Sequence, residues 1–162
     1  MSSTRKLAVI VALIAGASCF EPDLDSTLQV SFSAVPPLDS ISSIHVEVSD
    51  GGSWSAVPSF SPFAPGVFTT DKFDIPGSGS LYVDAIILYR NQRIGAIGIR
   101  KPVQEDFGYG IGVYVGRGDP RSFAWVGCIP EVFSAPLEMK PPGITADSIY
   151  LTWHGLPKGA VC

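Results

Sequence analysis

The chain has 162 residues, 46% of them apolar and only 16% charged, with 11 bases against 15 acids for a formal net charge of −4. Such a chain is too apolar and aromatic for a disordered one, too acidic for a protein that binds nucleic acid through its phosphates, and too poor in charge for a long coiled coil. Its length suits one domain of ordinary size, and its 17 glycines and 14 prolines point to many turns.

The first nineteen residues carry an address. Arg5 and Lys6 precede Leu7 to Ala17, an apolar run without a charge. As a helix the run would reach about 16 Å at ~1.5 Å per residue, well short of the ~30 Å hydrocarbon core of a bilayer. It therefore reads as the apolar part of a secretory signal and not as a membrane span. Small residues crowd its end in the order Ala15-Gly16-Ala17-Ser18-Cys19. This ending resembles the lipobox of bacterial lipoproteins, a family in which the cysteine receives diacylglycerol and becomes the first residue of the mature chain. Ala17 and Ser18 stand where that family has small residues, and Gly16 where it more often has Leu. The resemblance implies that residues 1–18 are a signal peptide, that Cys19 is lipidated, and that the protein is exported and membrane-anchored at the cell envelope, on its periplasmic or surface side. The alternative is cleavage after Ala17, which would release a free protein.

Cysteine parity favours the lipid. The cysteines are Cys19, Cys128 and Cys162. With Cys19 acylated the other two remain as an even pair, whereas a free Cys19 leaves an exported protein with an odd thiol. Loss of residues 1–18 removes two bases and no acid, so the mature balance is nine bases against fifteen acids, or −6. A body this acidic is repelled by anionic headgroups, and anchoring falls to the lipid. Residues 19–27 then read as a short acidic tether.

From residue 28 onward the periodicity is that of strands. Leu28, Val30 and Phe32 alternate with polar neighbours, as do Ile44, Val46 and Val48, which predicts half-buried strands. Asp50-Gly51-Gly52-Ser53 supplies a turn. Pro58, Pro62 and Pro65 confine residues 54–66 to loop or sheet edge, because proline removes a ladder donor. Val67 to Ile75 is extended, Pro76 to Ser80 turns the chain, and Leu81 to Tyr89 is apolar enough for a central strand. Arg90 to Arg93 is a polar hairpin tip before Ile94 to Ile99. In Phe107 to Val115, Tyr109, Ile111, Val113 and Val115 share one face while Gly108, Gly110 and Gly112 share the other. Three glycines on one face predict the close approach of another backbone or a bulky neighbour.

Strands about ten residues apart with turns between them predict an all-β sandwich. The order Ile75-Pro76-Gly77, a strand ending at Tyr89, Gly95-Ala96-Ile97-Gly98 and Gly112-Val113-Tyr114-Val115 resembles the immunoglobulin-like and carboxypeptidase-regulatory-like β-sandwich domains of bacterial surface lipoproteins. Over residues 28–118 that resemblance implies an immunoglobulin-like antiparallel β-sandwich of seven strands, with no catalytic residue to carry over. Residues 119–162 read as a short, Pro-rich C-terminal β extension, with Phe123 to Cys128 and Ser148 to His154 as strands and Trp125 and Trp153 as core. Some forty residues bury too little surface to stand alone. A Cys128–Cys162 disulfide would staple the extension and hold its end; two buried thiols are the alternative, ill suited to an oxidising compartment.

Little in the sequence promises chemistry. His45 sits beside Glu47 on the polar face of its strand and His154 closes an apolar one, so no metal set of three or four ligands is expected. Gly77-Ser78-Gly79 is too short for a nucleophile elbow. Gly108 to Gly112 lacks both the spacing and the following helix of a dinucleotide loop. Glu105-Asp106 reads as a solvated turn, and Asp71 and Asp74 lack the ligand density of a calcium loop. The expected role is therefore non-catalytic, structural or adhesive, with no cofactor, no metal and no nucleic acid, toward an envelope protein or glycan. The alternative is a carbohydrate- or peptide-binding module using the aromatic loop 54–68, where Trp54, Phe60, Phe63 and Phe68 either stack on a ligand or plug the end of the sandwich.

Overall fold

The computed structural model describes residues 23–35, 41–64, 66–117 and 129–161. Within them eleven strands form two sheets, and the fold is all-β. The larger sheet contains β1 (Ser26–Val35), β4 (Ser61–Ala64), β5 (Val67–Thr69), β6 (Phe73–Ile75), β9 (Phe107–Gly116), β10 (Glu131–Pro136) and β11 (Ser148–Pro157), in the order β10-β11-β9-β1-β5-β4, with β6 also on β1. The smaller contains β2 (Ile41–Ser49), β3 (Ser55–Ala56), β7 (Ser80–Tyr89) and β8 (Gln92–Pro102), in the order β3-β2-β7-β8.

The alternating patterns become the two inner faces. Leu28, Val30 and Phe32 of β1 and Ile111, Val113 and Val115 of β9 are buried in one cluster with Val46 and Val48 of β2 and Leu81, Val83, Ala85 and Ile87 of β7, the first two strands lying in the larger sheet and the last two in the smaller. Each large apolar side chain so buried contributes about 1.5–3 kcal/mol. His45 and Glu47 lie outside, as the alternation requires. β7 is central in its sheet, between β2 and β8. Arg90 and Asn91, at φ 48° and 63°, make the two-residue tip joining β7 to β8, a left-handed pair that matches the twist of the flanking strands.

Two expectations need correction. The strands outnumber the seven implied by the resemblance. Prolines and Thr70 break the stretch 54–75 into four short pieces, so residues 26–116 hold nine strands, β1 to β9. The sandwich is also not wholly antiparallel, because β1 and β9 run parallel from Thr27↔Gly108 to Val35↔Gly116. β8 finishes at the end of the molecule where β1 begins, and the Gln104–Asp106 turn carries the chain across at that same end. Ser26 fixes the crossing: its Oγ donates to the Gln104 carbonyl at 2.6 Å and accepts from Phe107 N–H at 3.2 Å.

The sequence's C-terminal extension is woven into this sheet. β11 pairs with β9 along ten residues, and its Ile149, Leu151 and Trp153 enter the common core. On the flank where β8 approaches β10, side chains stitch the sheets together. Arg93 pairs with Glu138 at 2.7 Å, Lys101 pairs with Glu131, and Glu138 N–H donates to the Ile94 carbonyl at 2.9 Å.

Both ends of the described chain meet at one end of the sandwich, the entry end. Gly77 N–H donates to the Asp23 carbonyl at 3.4 Å, Lys158 N–H donates to the Asp106 carbonyl at 2.7 Å, and Lys158 Nζ donates to the Asp25 carbonyl. The strand begins at Ser26, so the last two residues read as tether already belong to the sheet.

Candidate functional site

The glycines of β9 shape one face of the larger sheet. A methyl group at Gly110 would overlap the His154 ring, and one at Gly112 would lie 2.7 Å from Thr152 Oγ1 and from the Tyr114 ring. The bulky neighbours that the glycine face predicted are therefore Tyr114 of the same strand and Thr152 and His154 of β11. Thr152 Oγ1 accepts from Gly112 N–H at 3.2 Å, and its hydroxyl is bonded to Tyr114. Burial raises the Tyr114 phenol above its ordinary range, offset in part by that bond, and lowers the His154 imidazole, which favours its neutral form.

Toward the entry end the glycine face opens. Gly108 has only Thr27 Oγ1 near it, at 3.7 Å. There a hollow of about 640 Å³ is bounded by Thr27, Gln29, Lys72, His154 and the tail from Lys158 to Val161. A second hollow of similar size, about 640 Å³, lies on the other side of β11. Its wall is an aromatic stack, with Phe107 and Tyr109 at 5.8 Å between centroids and Tyr109 and Trp153 at 4.9 Å. Gly155 makes the stack possible, since any Cβ there would collide with the Tyr109 ring. Tyr109 Oη accepts from Gln104 N–H at 2.7 Å; desolvation nonetheless raises its pKa. Lys101 and Glu131 stand at the rim together with Ile129 and Val161.

Chemically this recess joins an aromatic wall to the polar groups of Lys101, Gln104, Glu131 and His154, a mixed surface suited to contact with an amphipathic partner. Among the described residues no three His, Cys, Asp or Glu side chains are placed to hold a metal ion. Glu105 and Asp106 form the turn between β8 and β9, as their sequence suggested.

The loop aromatics do not share one surface. Trp54, Phe60 and Phe68 are partly buried against the core, while Phe63 is 76% exposed. Cys19, Cys128, Cys162 and Trp125 lie outside the described residues. The aromatic stack itself escapes sequence reasoning. Phe107, Tyr109 and Trp153 look like ordinary strand residues, and only the Gly155 that interrupts β11 opposite Tyr109 hints at it.

Compared with known proteins, the chain matches no family model, no curated protein and no solved structure.

Proposed function

We propose that the chain is an exported protein held at the cell envelope by lipid on Cys19, and that its β-sandwich has a non-catalytic structural or interaction role there, toward an envelope protein or glycan. The reading is carried by the junction of address and body. The charged, apolar and small-residue segments of a lipoprotein signal end at Cys19, and four residues later Asp23 is already hydrogen-bonded to the sandwich. A signal segment followed this closely by the first strand fits a tether with no intervening domain.

The sandwich is read as immunoglobulin-like, on the support of its two packed sheets and of a chain that crosses between them four times, after β1, β3, β6 and β8. Cys128 and Cys162 are read as a disulfide. In support, their described neighbours Ile129 and Val161 line one hollow. The alternative, ligand binding by loop 54–68, has less to stand on, because only Phe63 of its four rings projects freely.

The test is the intact mass of the mature protein purified from membranes. A chain starting at Cys19 with diacylglycerol and acyl mass is expected, together with loss of Cys19→Ser from the membrane fraction. A chain starting at Ser18 without lipid overturns the reading.

A further inference from the structure

We propose that the entry end of the sandwich is a lipid-facing surface, seated on a zwitterionic bilayer through Leu24, Ile129 and Val161. The proposal rests on the lipid-anchor reading above and adds to it an orientation and a contact.

Six large apolar side chains are exposed among the described residues: Leu24, Val57, Phe63, Ile129, Met139 and Val161. Isolated exposed apolar residues are ordinary. Here, however, three of the six gather at one end, and two of them are almost wholly bare, Ile129 at 93% and Val161 at 95%. Their placement follows from bonds already described. Leu24 lies between Asp23, held by Gly77, and Asp25, held by Lys158. Val161 follows that same Lys158 by three residues and shares the aromatic hollow with Ile129. The other three are elsewhere, Val57 and Phe63 on the 54–66 flank and Met139 beside Ile94 near the opposite end.

Chain length decides what covers this end. Asp23 is four residue steps from Cys19, which at about 3.5 Å each span at most ~14 Å. A lipid on Cys19 thus keeps the entry end within about two headgroup layers of the acyl chains, at ~5–7 Å per layer, and no other face of the body is held as close. Charge selects the kind of surface. Asp23, Asp25, Asp74, Glu105, Asp106 and Glu131 outnumber Lys72, Lys101 and Lys158 here, so an anionic leaflet repels this end while a zwitterionic one does not. Apolar side chains then enter the interfacial region as they do in other peripheral contacts. In this pose the tip at Arg90-Asn91 and the Leu137–Asp147 loop stand some 30 Å away, since ten strand residues rise ~3.3 Å each, and face outward.

The experiment is hydrogen exchange on the lipidated protein in phosphatidylcholine vesicles, compared with the Cys19→Ser mature chain beside the same vesicles. Intact mass on the first sample establishes whether Cys19 carries lipid. With lipid present, amides at Leu24–Asp25, Ile129–Glu131 and Lys158–Val161 are expected to slow severalfold in the vesicle-bound sample, while Arg90–Gln92 and Glu138–Lys140 stay unchanged. The lipidated triple variant Leu24→Ser, Ile129→Ser, Val161→Ser should remain anchored and lose that protection, with exchange in β7 and β9 unaltered as proof of folding. Lipid present with no protection at the entry end, or with protection at the Arg90 end, overturns the proposal and leaves the anchor standing. Absence of lipid mass overturns both.

Discussion

His154 condenses the chemistry of the outer face into one residue. Its ring lies over Gly110, and burial lowers its pKa from the ordinary value of 6.5. Well above about pH 6.5 both folded and unfolded chains carry it neutral, and it has no effect on pH dependence. As the pH falls through 6.5 the unfolded chain binds a proton that the folded chain accepts only at lower pH. Stability therefore falls, by at most ~1.4 kcal/mol per pH unit for one proton. Urea midpoints near pH 7.5 and pH 5.5 should show this drop in the natural protein and a smaller one in His154→Gln; equal drops would assign the effect to another group. The sequence made half of this legible. Alternation placed glycines on one face of β9 and so called for a bulky neighbour. It did not say which one, because the registry that sets His154 against Gly110 joins strands 44 residues apart, and side-chain period carries no information about partners.

At the scale of elements, β1 shows how a broken neighbour is repaired. β5 pairs with its upper half, Ser31 to Ser33, and β6 with its lower half, Ser26 to Leu28. Between them Thr70 bridges the gap. Its N–H donates to the Val30 carbonyl at 2.9 Å, and its Oγ1 accepts from Val30 N–H at 3.0 Å. Gln29 adds its side-chain amide to the Thr70 carbonyl at 3.0 Å. Thr70→Val keeps the shape and leaves the buried Val30 N–H unpaired, and a loss of about 1–3 kcal/mol is expected from chemical denaturation. Thr70→Ser should recover most of it. Strong alternation made β1, β2 and β9 readable, and the turn residues around 50–53, 76–80 and 90–93 marked their neighbours. The division of Val67 to Ile75 into two strands was not readable. It depends on a threonine hydroxyl standing in for a ladder donor, and nothing in the local pattern distinguishes Thr70 from Thr69.

For the whole molecule, the C-terminal segment changes meaning most. In the sequence it looked like an addition that needed a staple; in the structure β11 forms a full ladder with β9. A Cys128–Cys162 bridge would still constrain the unfolded chain, closing some 34 residues for roughly 3–4 kcal/mol by the loop-entropy model. Denatured without reductant, the protein should resist alkylation at both cysteines, and reduction should lower its denaturation midpoint; alkylation of both would show free thiols. The sandwich class was legible because inside and outside alternate so regularly. Strand direction was not, since a strand that pairs parallel and one that pairs antiparallel bury the same alternate residues. That hidden parallel pairing bears on how the molecule comes together. Ser26 and Phe107 meet across 81 positions, and Val30 and Thr70 across 40. Delivered from its N-terminus, β1 arrives first and lacks a neighbour on either side until much of the chain has followed. The hairpin β7–β8 can form early from its own tip, but the larger sheet must wait for its two distant closures. Contacts of such long range make for slow folding, so the first strand delivered is among the last to be sealed.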